Sequence, residues 1–230
     1  MNRNIGKRGW AVSALGCLLF LWVVPLTGQT EWTDRTQAAG LSGWLRGVAW
    51  GEGRFVAVGE TGGVVALGSS PDGETWTNHN PTGAISGFLY DVAYGDDQFV
   101  AVGSMAGDLN GPGRFVVSED GENWTAVPSS PLVGGVYRGV AYGNGTWVAV
   151  GRAAGLTLAA VATSSNGEDW TVHSTQAGIA GELNDVIFAE NRFYAVGQVA
   201  GRATIFYSNN GVNWTSAVQN QIIGGNALAI

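Results

Sequence analysis

From residue 44 onward, short apolar runs alternate with clusters of Gly, Asp, Asn and Ser, and the alternation repeats along the chain. One unit reads Gly47-Val-Ala-Trp-Gly-Glu-Gly-Arg-Phe-Val-Ala-Val-Gly59, and close copies end at Gly103, Gly151 and Gly197. A second unit follows each: Ser70-Pro-Asp-Gly-Glu-Thr-Trp-Thr77, then Ser118 to Thr125, Ser164 to Thr171 and Ser208 to Thr215. The Trp of this unit stands at 76, 124, 170 and 214, in steps of 48, 46 and 44, so the chain carries one repeat of roughly 45 residues.

The second repeat shows the elements that this pattern predicts. Extended runs are expected over Leu89–Tyr94, Gln98–Val102, Arg114–Ser118 and Asn123–Val127, with Gly95-Asp-Asp97 turning the first pair. The second unit places Asp or Asn directly before Gly, which predicts a two-residue hairpin turn with positive φ. Its Trp is large enough to cover the gap between stacked sheets. Residues 50, 94, 142 and 188 are Trp, Tyr, Tyr and Phe, one repeat position that suits the core between neighbouring sheets. No helical period occurs after the N-terminal segment.

Four antiparallel strands per repeat predict an all-β fold, a β-propeller of four-stranded blades. The blades fall at about 44–77, 88–126, 136–172 and 182–216 within a repeat domain spanning 29–230. Glu31-Trp-Thr33 matches the last strand of a preceding blade, and residues 226–230 match the start of a following one. Four full blades plus partial strands of a fifth imply either a piece of a longer propeller or a small incomplete ring, completed in one version by a second chain.

Residues 1–28 stand apart from the repeats. Arg3, Lys7 and Arg8 precede an almost wholly apolar run from Trp10 to Leu26, the pattern of a secretory signal peptide. The alternatives are an uncleaved membrane anchor and a lipoprotein signal at Cys17. Removing the segment takes three of the 11 basic residues and none of the 18 acidic ones, leaving 8 against 18. So acidic a chain repels phosphate backbones, which argues against nucleic acid as a partner, and membrane contact is expected only through an uncleaved N-terminal segment. The sole cysteine, Cys17, leaves with it, so neither a disulfide nor a thiolate metal site is expected in the secreted or periplasmic product.

The second unit resembles the bacterial neuraminidase repeat, or Asp-box, whose pattern is Ser-x-Asp-x-Gly-x-x-Trp. The matching residues are Ser70, Asp72, Gly73 and Trp76; Ser118, Asp120, Gly121 and Trp124; Ser164, Asn166, Gly167 and Trp170; and Ser208, Asn210, Gly211 and Trp214. One residue is missing between Asp and Gly in every copy, and Asn replaces Asp in the last two. The chain thus resembles exported bacterial propellers of the sialidase-like superfamily. That resemblance implies a box that is a turn-building device at the blade edge and not a catalytic site.

Candidate chemistry is concentrated on the first strands, which line the central channel of a propeller. Arg46 and Arg138 share one repeat position with Tyr90 and Asn184, and Asp91 and Asp185 share the next. These six are the expected ligand-binding residues at one channel mouth. The two aspartates could also serve as the carboxylate pair of a glycoside hydrolase. No catalytic residue is assigned, no cofactor is implied, and His79 and His173 lack metal-ligand spacing. Connections from second to third strand, such as Ser104 to Gly113, and those between blades vary most, so one face is expected to carry the binding site. The expected function is an exported, non-catalytic binding or scaffold module for a glycan or protein ligand. A sialidase-like glycoside hydrolase and an assembly factor for a membrane complex are the alternatives.

Overall fold

Each repeat folds into one four-stranded antiparallel sheet whose strands lie side by side in chain order. Blade 1 comprises β1 (Trp44–Gly51), β2 (Arg54–Thr61), β3 (Val64–Ser70) and β4 (Thr77–Asn78). Blade 2 comprises β5 (Phe88–Gly95), β6 (Gln98–Ser104), β7 (Gly113–Ser118) and β8 (Thr125–Ala126). Blade 3 is built from β9 (Gly135–Gly143), β10 (Thr146–Ala153), β11 (Ala159–Ser164) and β12 (Trp170–Val172), and blade 4 from β13 (Glu182–Ala189), β14 (Arg192–Val199), β15 (Arg202–Ser208) and β16 (Thr215–Ser216). The computed structural model describes residues 40–80, 85–106, 111–128, 135–155 and 157–217, without the side chains of 175 and 176. The N-terminal segment 1–28, the partial strands at 31–33 and 226–230, and the middle of the 104–113 excursion lie outside the described residues.

The two turn types differ from the sequence expectation. Two-residue turns with both φ angles positive do occur, but between the first and second strands, at 52–53, 96–97, 144–145 and 190–191, and between the second and third strands of blades 1 and 4, at 62–63 and 200–201. These are type I′ geometries, whose twist suits a tight hairpin. The Asp-Gly and Asn-Gly pairs instead sit in longer connections: Ser70 and Thr77 flank the first, and only Gly73 in it has a positive φ, of 75°. The reason is competition from side chains, because the Ser hydroxyl and the Asp or Asn oxygen capture the backbone N–H groups of the turn. The outermost strand is accordingly short. A single helical turn, α1 (Ser174–Ala177), interrupts the otherwise all-β described residues and closes at Gly178, whose φ is 63°.

Blades follow one another in chain order, with the first strands β1, β5, β9 and β13 innermost and in contact. The core consists of three layers, one at each junction. Val56, Val58 and Leu67 of blade 1 meet Leu89, Val92 and Phe99 of blade 2, and the same arrangement recurs at the next two junctions. An aromatic knob of one blade lies on a glycine of the blade before it. A Cβ added to Gly51 would come within 2.2 Å of the Tyr94 ring, at Gly95 within 2.5 Å of Tyr142, and at Gly143 within 2.1 Å of Phe188. Each knob also leans on an aromatic of its own second strand, with centroids 4.8–4.9 Å apart in blades 2 to 4. Trp147 stands where the other blades have Phe55, Phe99 and Phe193, and its buried indole N–H finds no acceptor.

Trp50 departs from the expected pattern. It occupies the knob position of blade 1, yet with no blade before it among the described residues it stays exposed. The knob glycines predict a stability cost that can be measured. Gly95→Ala should lose about 1–3 kcal/mol in urea unfolding, because the added methyl overpacks the junction. Gly103→Ala should lose more, since its Cβ would meet the Phe88 carbonyl oxygen at 1.7 Å, where backbone must move.

Candidate functional site

The innermost strand of every blade carries one β-bulge. Pairing skips Arg46 between Leu45 and Gly47, Tyr90 between Leu89 and Asp91, Arg138 between Tyr137 and Gly139, and Asn184 between Leu183 and Asp185. A bulge leaves its extra residue out of the ladder and re-aims the side chain, so two guanidinium groups, a phenol and an amide are presented at one level of the fold. The glycine that closes each apolar run faces the bulge. At Gly59, Gly103, Gly151 and Gly197 a Cβ would collide with a first-strand carbonyl oxygen at 1.7–2.1 Å.

These side chains pair across the junctions. The Arg46 guanidinium carbon lies 5.1 Å from the Tyr90 ring centroid and 5.1 Å from that of Trp44, within cation–π range. Arg138 Nη1 donates to Asn184 Oδ1 at 2.7 Å and pairs with Glu182 Oε2 at 3.1 Å. Glu182 Oε1 accepts from Gln198 Nε2 at 2.6 Å. Glu182 also borders a cavity of about 200 Å³ between blades 3 and 4, with Arg152, Thr157 and Gln198 as its other polar walls. Sequence reasoning missed Glu182, Arg152 and Gln198, because no motif marks them: Glu182 and Gln198 are cross-strand partners within blade 4, and the stacking of blade 3 brings Arg152 to them.

Asp91 and Asp185 occupy the position after the bulge, and Gly47 and Gly139 hold it in the other two blades. Asp91 Oδ2 reaches across to accept the Val140 N–H at 2.9 Å, whereas Asp185 Oδ1 accepts its neighbour Val186 N–H at 2.8 Å. Gly47 and Gly139 allow the strands to close up: a Cβ there would lie 2.9 Å from the Asp91 Cα and 2.8 Å from the Asp185 Cα. Burial, with a smaller contribution from the Asp185 charge, pushes the Asp91 carboxyl up to about 7 against the pull of the Val140 and Val92 N–H groups.

The four boxes share one hydrogen-bond scheme. In the first, Ser70 Oγ accepts the Gly73 N–H at 2.8 Å, Asp72 Oδ1 accepts the N–H groups of Glu74 and Thr75 at 2.8 and 2.7 Å, and Trp76 Nε1 donates to the Gly73 carbonyl at 3.1 Å. Asp120, Asn166 and Asn210 repeat it, so Asn replaces Asp without loss of the backbone contacts. Gly121, Gly167 and Gly211 set their boxes against the second strand of the preceding blade, and an Arg54–Glu122 ion pair and a Gln98 to Asn166 hydrogen bond at 2.8 Å tie two of them down. The Thr75 and Glu74 N–H groups hold Asp72 at about 2. Burial raises Asp120, but the Asn123 N–H and amide and the Glu122 N–H outweigh it and leave that carboxyl well below the usual range.

Both histidines are bound to the sheets. His79 Nε2 lies 2.8 Å from Ser69 Oγ and His173 Nε2 2.9 Å from Thr163 Oγ1, each ring half-buried against the third strand. Among the described residues no three His, Cys, Asp or Glu side chains gather as a metal site.

No protein-family model matches the chain, and no curated protein sequence does. Solved structures do. A chain of a nidogen/laminin complex superposes with a TM-score of 0.53 at 15% identity, covering 80% of this chain and 67% of that one. The fold is a β-propeller. YCF48 bound to a D1 peptide matches at 0.48 and 19% identity, over 74% of this chain and 51% of that one. A Bombyx mori GH32 β-fructofuranosidase matches at 0.48 and 12% identity, over 78% and 50%. This propeller thus spans about half the length of these last two.

The carboxylates predict a pH profile with two arms. Asp72 and Asp120 stabilise the fold fully above the ordinary carboxylate range, and that contribution is lost as pH falls through their depressed values. Asp91 acts in the opposite sense. Between about pH 4 and 7 the folded state keeps a proton that the unfolded chain has released, so stability falls as pH rises. Thermal unfolding should therefore give a maximum on the acid side of neutrality, and Asp91→Asn should flatten only the arm above it.

Proposed function

We propose that this chain is an exported, non-catalytic binding module whose ligand is a segment of another protein, held at the bulge level and in the adjoining cavity. The observation that carries the reading is the repeated bulge. The same backbone device occurs in all four blades, yet it presents Arg46, Tyr90, Arg138 and Asn184, so the scaffold is constant and the presented chemistry is not. Arg and aromatic side chains are the types that dominate protein-binding hot spots. Glu182 links the level to the cavity and orients Arg138, which supports a single extended site. The nidogen/laminin structure offers a precedent for a propeller-bearing chain in a complex of two proteins. A glycan would also suit a polar, Arg-lined surface.

One observation favours a second reading. A carboxyl raised to about 7, within reach of a second carboxylate's charge, is the starting state of a general acid in glycoside hydrolysis. Against it, Asp91 spends one oxygen on the Val140 N–H, which fits a structural post.

Panning a peptide-display library and probing a glycan array with the secreted protein separates the possibilities. We expect peptide ligands whose affinity falls about tenfold or more in Arg46→Ala or Arg138→Ala. Binding confined to glycans would replace the protein ligand. Turnover of chromogenic glycosides that vanishes in Asp91→Asn would overturn the non-catalytic reading.

A further inference from the structure

The large apolar side chains exposed among the described residues lie at the two ends of the row of blades: Trp44, Leu45, Val48 and Trp50 on β1, and Ile187 on β13. Repetition shows what these positions are for. Val48 is 65% exposed, whereas Val92, Val140 and Val186, its counterparts in blades 2 to 4, are 4%, 3% and 2% exposed under the preceding blade. Leu45 corresponds to the fully buried Leu89 and Leu183. Leu41 packs at Gly68 on the outer part of this face, so the bare part is the inner one. At the other end, Ile187 stands where Ala49, Ala93 and Ala141 pack against the following blade.

Charge is complementary across the same two faces. Arg54 of blade 1 pairs with Glu122 in the box of blade 2. Arg192 of blade 4 holds the repeat position of Arg54, and Glu74 in the box of blade 1 holds that of Glu122. Arg192 now rests over the Tyr207 ring, 5.3 Å from its centroid.

We propose that a second copy of this chain docks head to tail, the bare face of blade 4 in one copy receiving the bare face of blade 1 in the next. The contact continues the three junctions already present: Val48 and Trp50 enter as knobs, Ile187 is covered, and Arg192 faces Glu74. One residue weakens it. Ala189 occupies the position of Gly51, Gly95 and Gly143, where a Cβ crowds the incoming ring, so this junction is looser than the three inside the chain. Such a contact is heterologous, since each copy uses two different faces.

Sedimentation velocity of the secreted protein over a concentration series tests the proposal. The wild type should associate with rising concentration, and Val48→Glu and Ile187→Glu should each be monomeric while keeping native circular dichroism. An equimolar mixture of the two variants retains one intact pair of faces and should form a dimer that grows no further. Ala189→Gly should tighten association roughly tenfold by relieving the overpacking. A wild type that stays monomeric, a mixture that stays monomeric, or association unchanged by Ala189→Gly would each overturn it.

Discussion

The structure depends on the contact of an aromatic ring with a bare stretch of backbone. Tyr94, Tyr142 and Phe188 each lie on a glycine of the preceding blade, and nothing larger than hydrogen fits there. Sheets stacked face to face normally stand about 10 Å apart, a gap that side chains must fill. Here the innermost strands approach so closely that Gly47 and Gly139 nearly touch the Cα atoms of Asp91 and Asp185. Towards the periphery larger residues such as Phe115 and Trp170 occupy the widening wedge, their rings centred 4.6 Å apart. Bare glycine backbone under the first-strand rings and paired large side chains farther out make each junction a wedge, and a row of wedges places all four first strands together.

That placement couples the architecture to the candidate site. The bulge residue leaves the ladder at the point where neighbouring first strands are closest, so Arg46 can lie over Tyr90, and Arg138 can reach both Asn184 and Glu182. The box at the blade edge performs the complementary task. It seats each outer strand on the preceding blade through Gly121, Gly167 or Gly211, far from the first strands, and its oxygens are occupied by its own backbone. Carboxylates are thus divided between two environments: Asp72 and Asp120, held ionised by a ring of N–H donors, and Asp91, pushed up to about 7 by burial.

Much of this was readable in the chain, because self-similarity substitutes for an alignment. The four blades, their first strands and the grouping of Arg46, Tyr90, Arg138 and Asn184 follow from the spacing of Trp and Gly alone. The bulges were not read, although the glycine ending every Ala-Val-Gly run was the available signal. Asp-Gly was read as a two-residue turn because φ preference was weighed without the neighbouring Ser hydroxyl, which redirects the backbone. Trp50 was read as core by analogy with its counterparts, and the analogy fails where a blade has no predecessor among the described residues. The cavity wall at Arg152 and Gln198 depends on contacts between repeats, which periodicity within a repeat does not encode.

The bulge has an evolutionary corollary. A side chain excluded from both the ladder and the core can be exchanged with little effect on foldability, since neither pairing register nor packing volume depends on it. The side chain presented at each of the four bulges is therefore decoupled from the architecture, and duplicating a blade adds a bulge together with its support. The presented chemistry can change bulge by bulge while the glycines and rings between blades stay under strict steric constraint.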